Sequence, residues 1–144
     1  MHDVRFITSD LSSSMPLPYA DGGVRAGFPS PAQDYMEGTI DLNKELIQHP
    51  AATFYCRVVG DSMIEAGIHP NDILVVDKSR EPSDGCFAIC FLNGEFTVKE
   101  LDLSQRSQNI IRLLPHNAKY EPIIVHTEDA FEIWGVVSYV IHKT

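Results

Sequence analysis

Two short stretches carry residues whose types could act on an ester or a peptide bond. In Val58-Val59-Gly60-Asp61-Ser62-Met63 an apolar run reaches a glycine and an aspartate and then delivers a serine. Gly60 lets the backbone turn sharply. A serine just past a strand end can be presented in a cleft, and the neighbouring amides of Ser62 and Met63 are natural donors to an oxyanion. The plain alternative is a hydroxyl that caps a turn. A nucleophilic serine also needs a group to take its proton. The esterase pattern G-x-S-x-G is absent, because Ile64 stands where the second glycine belongs. His2, His49, His69, His116, His126 and His142 show no local pattern that marks one of them as a base, although a triad partner need only be near in space. Lysine is the other option. Lys99 lies in Glu95-Phe96-Thr97-Val98-Lys99-Glu100-Leu101, where period two puts Thr97, Lys99 and Leu101 on one face and Phe96 and Val98 on the other. An apolar cleft would disfavour the ammonium and leave a neutral amine able to act as a base. An ordinary lysine on a solvated face is the alternative.

The elements that must position these residues are mostly strands. From Ala52 onward, runs rich in Val, Ile, Phe and Tyr are separated by turn formers, predicting strands at Thr53–Val59, Ile73–Asp77, Cys86–Leu92, Glu95–Leu101, Ile110–Pro115, Ile123–His126 and Phe131–His142. Asn93-Gly94 between two runs predicts a two-residue hairpin, since both residues tolerate positive φ. Ahead of them two short helices are expected. One starts at Ser30-Pro31-Ala32-Gln33 and carries Tyr35 and Met36; the other has Asp41 as its cap and runs toward Ile47, with Pro50 ending the pattern. Residues 1 to about 26 hold many Ser, Pro and Gly and few large apolar groups. They are expected to form an extended, mobile arm, docked along a surface by Phe6, Ile7, Leu11 and Leu17. The fold class is therefore mainly β: a compact, mostly antiparallel fold with one or two short helices and an extended N-terminal arm.

Composition narrows the function classes. The 144 residues suit one domain with a real core, and 44% hydrophobic against 22% charged residues is the balance of a soluble globular protein. No run approaches the ~18 apolar residues of a membrane span, and MHDVRFITSDLSSSM has no apolar core of a secretory signal; a cytoplasmic protein without membrane contact is expected. The net charge of −9 comes from 20 acidic and 11 basic residues, and the basic ones are scattered. Direct nucleic-acid binding is not expected as the main activity. The three cysteines, Cys56, Cys86 and Cys90, are an odd number and speak against a disulfide framework. Cys86 and Cys90 could be half of a metal site, but no second pair of suitable spacing follows, so buried thiols are expected, with no metal and no cofactor.

The border at VRAGFPSPAQDY, residues 24–35, admits two readings. Gly27, Pro29 and Pro31 suit a linker, and the small residues Ala26 and Gly27 suit a cut site. Here the stretches above fall into a known order. Ala26-Gly27-Phe28-Pro29-Ser30-Pro31-Ala32, Asp41-Leu42-Asn43, Leu46-Ile47-Gln48-His49-Pro50, Gly60-Asp61-Ser62-Met63, Ile68 to Asp77, Gly94-Glu95-Phe96-Thr97-Val98-Lys99 and Gly135-Val136-Val137 resemble the LexA/UmuD family of self-cleaving proteins, and most closely its UmuD branch. The interval from Ser62 to Lys99 fits as well.

The resemblance implies a LexA/signal-peptidase-like fold and a serine peptidase acting on itself. Ser62 would be the nucleophile, unprotonated Lys99 its general base, and the amides of Ser62 and Met63 the oxyanion donors. The bond cut would be Ala26–Gly27, dividing the chain into an arm, 1–26, and a β-rich peptidase and dimerisation domain, 27–144. The implied partners are a second copy in a homodimer, the RecA filament on single-stranded DNA as activator after DNA damage, and the UmuC subunit of the error-prone translesion polymerase. About 26 residues precede the bond, too few for the helix-turn-helix domain of a repressor. Ala26 stands where cysteine is found in relatives, and both are small. Three rival readings are a signal-peptidase-like protease, which would need a membrane anchor, a non-catalytic regulatory subunit of the polymerase, and a histidine-based esterase.

Overall fold

The computed structural model describes residues 4–7, 14–20 and 36–144. They divide into two compact units, one of residues 1–9 with 49–144 and one of residues 10–48.

In the larger unit, eight strands form one sheet among the described residues. These are β1 (Val4–Ile7), β4 (Thr53–Val58), β5 (Ile73–Asp77), β6 (Phe87–Leu92), β7 (Glu95–Asp102), β8 (Ile110–Leu114), β9 (Ile123–His126) and β10 (Phe131–Ile141). Their spatial order is β1-β4-β5-β10-β6-β7-β8-β9, and each pairing is antiparallel. The mainly β, antiparallel expectation holds, and the strand predictions match to within a residue at each end. Asn93 and Gly94 take φ of 50° and 85° and close the β6–β7 hairpin at Leu92↔Glu95. β10 is long because it serves two partners, β5 along its C-terminal half and β6 along its N-terminal half. The register slips between Ile133 and Gly135, and at that slip a Cβ on Gly135 would lie 2.6 Å from Val76 Cγ1. Only a residue without a side chain lets the strands approach so closely there.

The sheet buries apolar side chains on both faces, as alternation along a strand requires. Ile89 of β6 and Val98 of β7 join Cys56, Val58, Met63, Ile68, Leu74 and Val76 in one cluster. Ala88 and Cys90 of β6 and Leu101 of β7 join Ile111, Leu113 and Val125 in the other. Burial pushes the Cys56 and Cys90 thiols up to about 12, as expected of inert buried cysteines.

At residues 4–7 the amino-terminal region lies along the edge of β4. β1 pairs with β4 over Val4↔Val58 to Ile7↔Tyr55, and Phe6 packs edge-on against Phe54 and Phe96, 5.4 and 4.5 Å between centroids. Four residues suffice because the edge of β4 supplies the hydrogen-bonding partners and the aromatic cluster supplies apolar area.

In the smaller unit, β2 (Pro16–Ala20) pairs antiparallel with β3 (Met36–Asp41), which runs into the one-turn helix α1 (Leu42–Leu46). Asp41 caps that helix as expected, accepting from the Asn43 amide. The Ser14 hydroxyl also donates to it and holds its carboxyl below the usual range. The expected helix start at Ser30 lies outside the described residues, as does Tyr35. Met36, assigned to that helix from sequence, instead begins β3, whose pairing with β2 overrides the short helical signal.

Candidate active site

Ser62 stands on the loop that leaves β4. The chain runs through Val59 and Gly60, presents Ser62, and enters a single helical turn at Ile64–Ala66 that ends on Gly67 at a φ of 83°. Neighbouring segments fix this loop. The Met63 side chain is 1% exposed and sits in the core beside Val58 and Ile68, while its carbonyl accepts from the Ala66 and Ile68 amides. The Ser62 carbonyl accepts from the His116 amide at 2.8 Å, and the Glu65 amide donates to the His116 carbonyl at 2.8 Å. Asn117 Nδ2 donates to the Asp61 carbonyl, and the Tyr120 hydroxyl to the Asp61 carboxylate. The segment after β8 thus braces the serine loop with backbone and side-chain bonds alike.

Lys99 arrives from β7, whose register against β6 sets it opposite Ala88. It is 4% exposed, and Ser62 is 5% exposed. Lys99 Nζ lies 2.8 Å from Ser62 Oγ, 2.6 Å from Thr97 Oγ1 and 3.1 Å from the Val98 carbonyl. Of the two sequence readings of Lys99, the solvated surface lysine is therefore excluded. The fold brings Ser62 and Lys99 together, and Met63 stands beside them. Ala26 and Gly27 lie outside the described residues.

Three histidine rings are engaged with carboxylates instead. His49 Nδ1 is 2.6 Å from Asp77 Oδ2, His142 Nδ1 is 2.6 Å from Asp72 Oδ1, and His116 Nε2 is 3.0 Å from Glu100 Oε1. Burial pushes the Asp77 carboxyl up, but hydrogen bonds from Ser79 and His49 outweigh it and leave it below the usual range. A pocket of about 370 Å³ adjoins the serine loop on the braced side, lined by Glu65, Glu100, Leu114, His116, Asn117 and Tyr120 among others.

Sequence reasoning did not single out Thr97, although period two already placed it on the face of Lys99. It had no means of finding the brace from His116, Asn117 and Tyr120, whose partners lie more than fifty residues away in the chain.

The chain is similar to known proteins over most of its length. The Peptidase S24-like family matches residues 18–138. Protein SamA of Salmonella typhimurium is 49% identical over 119 residues, covering 83% of this chain and 80% of that protein. Protein MucA of Escherichia coli is 37% identical over 135 residues, 93% of this chain and 90% of that protein. The LexA repressor of Carboxydothermus hydrogenoformans is 38% identical over 107 residues, 74% of this chain but 52% of the repressor. Among the described residues no helix is long and apolar enough to cross a membrane. A serine and a lysine buried side by side, and a match that spans most of the chain, lead to one assignment: this chain belongs to the Peptidase S24-like family of serine peptidases, in the company of UmuD-family proteins such as SamA and MucA.

Proposed function

We propose that the chain is a self-cleaving serine peptidase in which Ser62 and Lys99 form the catalytic pair and the Ala26–Gly27 bond is the substrate. The observation that carries this reading is the 2.8 Å separation of Lys99 Nζ and Ser62 Oγ with both side chains buried. An uncharged amine has two N–H donors and one lone pair. The Thr97 hydroxyl and the Val98 carbonyl can accept the two N–H bonds, which aims the lone pair at the serine proton.

In the first step Lys99 Nζ takes the proton of Ser62 Oγ as Oγ bonds to the Ala26 carbonyl carbon. Backbone amides at Ser62 and Met63 stabilise the resulting oxyanion. The intermediate collapses as the Ala26–Gly27 bond breaks, and Nζ returns its proton to the departing Gly27 nitrogen. Water then attacks the acyl-enzyme, with Nζ again taking a proton, and Ser62 is regenerated. Base catalysis of this kind contributes about 10²–10⁴-fold, and each oxyanion donor about 10²–10³-fold.

Residues 1–26 would leave as an arm, carrying β1 away from the edge of β4, and residues 27–144 would remain as the mature body. The likeness to UmuD-family proteins supports the wider setting: a homodimer in the SOS response to DNA damage, cleavage stimulated by the RecA filament on single-stranded DNA, and association of the trimmed product with UmuC in translesion synthesis. A filament that favours the docked arm raises the rate without adding a catalytic group.

Mass spectrometry after incubation with RecA, single-stranded DNA and a nucleotide cofactor tests the bond and the activator together. The expected product begins at Gly27 and is absent for Ser62→Ala and Lys99→Ala. Cutting at residue 26 in Lys99→Ala excludes lysine as the base. An intact parent chain under all these conditions would favour a purely regulatory polymerase subunit.

A further inference from the structure

Away from Ser62 and Lys99, the residues His69, Asp72 and His142 converge, with one ligating atom from each lying within 4.8 Å of the others. The fold forces the meeting. β10 pairs with β5 through Ile141↔Ile73, so the next positions, 142 and 72, fall opposite one another. The turn His69-Pro70-Asn71-Asp72 closes on itself, with the Asp72 amide donating to the His69 carbonyl and Asn71 held at a φ of 73°. That turn is pinned to the end of β4, since the Val58 amide donates to the Asp72 carbonyl and the Asn71 amide to the Val58 carbonyl.

Two features of the cluster are unusual for a mere surface network. The Asp72 carboxylate is 2% exposed and has a histidine on each side, His142 Nδ1 2.6 Å from Oδ1 and His69 Nδ1 3.8 Å from Oδ2. His69 Nδ1 is itself buried and has no hydrogen-bond partner among the described residues, although its ring is 42% exposed. A desolvated, unsatisfied ring nitrogen facing a buried carboxylate is costly unless something bridges them.

We propose that His69, Asp72 and His142 form a binding site for a divalent transition metal of the zinc class, with two imidazole nitrogens and one carboxylate as ligands and a fourth position left to water. Tetrahedral zinc with bonds of about 2.0–2.2 Å sets its ligand atoms roughly 3.4 Å apart. His142 Nδ1 lies 2.6 Å from Asp72 Oδ1 and His69 Nδ1 3.8 Å from Asp72 Oδ2, which also accepts the His69 amide, so a bound ion would take the place of the His142–Asp72 hydrogen bond as these side chains rotate. Imidazole suits zinc, copper and nickel, and the mixed nitrogen and oxygen set disfavours magnesium and calcium. Cys86 and Cys90, the residues whose spacing first suggested half a metal site, take no part.

Titration calorimetry of zinc chloride into the metal-stripped full chain tests the proposal. One saturable site per chain in the micromolar range or tighter is expected, together with a rise in melting temperature. His69→Gln and His142→Gln keep a polar side chain beside Asp72 but remove a good ligand, and each should weaken binding by at least about tenfold. His49→Gln, at the separate His49–Asp77 pair, should leave binding unchanged. Absence of saturable binding in the parent overturns the site, and so does binding that survives in the His69→Gln/His142→Gln double variant. Melting curves of the variants without zinc verify that they fold, and cobalt(II) substitution gives an independent readout. Intense visible bands of tetrahedral cobalt are expected in the parent and their persistence in the double variant would equally exclude the site.

Discussion

Ser62 stands on a loop and Lys99 on a regular strand, and the two positions are secured in different ways. Lys99 needs no dedicated support for its backbone, because the β6–β7 register that sets it opposite Ala88 is the same ladder that builds the sheet. Ser62 lies beyond the last rung of β4 and depends on bonds from a remote segment, namely the His116 amide, Asn117 and Tyr120, and on the burial of Met63. A side chain on a strand is placed by pairing that the fold requires in any case. A side chain on a turn must be placed by contacts that serve little else.

Substitutions can break that contrast in order of effect. Removing either reactive group, Ser62→Ala or Lys99→Ala, is expected to cost at least about 10²–10⁴-fold in self-cleavage with the fold intact, as read by cleavage time courses beside melting curves. Gly135→Ala attacks the strand side, because its new methyl meets Val76 Cγ1 and the Asp77 carbonyl. Chemical denaturation should show a loss of about 1–3 kcal/mol as β10 shifts against β5. Thr97→Val removes a hydroxyl 2.6 Å from Nζ without changing the strand, and a fall in cleavage of roughly tenfold to a hundredfold with unchanged stability is expected. On the loop side, Asn117→Ala loses the bond to the Asp61 carbonyl, with about 0.5–1.5 kcal/mol at stake in denaturation and a slower cleavage rate.

A smaller effect separates the two regions by pH. The Asp77 carboxyl at the end of β5 is held below its ordinary value, so it releases its proton more readily folded than unfolded. Its contribution to stability is present above about pH 4 and disappears as pH falls through the depressed value. Denaturation midpoints should therefore drop in acid for the parent and less steeply for Asp77→Asn.

The readings made from sequence divide along the same line between local and remote. The strands, the Asn93-Gly94 hairpin and the Asp41 cap were legible because each is set by residues adjacent in the chain. The face shared by Thr97 and Lys99 was legible from period two, and the pairing of Lys99 with Ser62 only through the ordered resemblance to the LexA/UmuD family, since composition cannot tell a buried lysine from a solvated one. The sequence suggested that Phe6 and Ile7 dock the arm on a surface, but not which one, because the edge of β4 and the aromatic cluster of Phe54, Phe96 and Trp134 lie far along the chain. The His69, Asp72 and His142 cluster escaped for the same reason: His69 and Asp72 share one turn, but His142 lies 70 residues beyond Asp72 in the chain.

The place of β10 has a consequence for timing during synthesis. It is the last strand in the chain, yet it lies in the middle of the sheet, joining β4 and β5 on one side to β6 and β7 on the other. A ribosome therefore releases the serine-bearing half and the lysine-bearing half before the strand that zips them together. Until residues 131–141 have left the exit tunnel, the two halves share no strand ladder and can meet through side-chain packing and the bonds that His116, Asn117 and Tyr120 make to the serine loop.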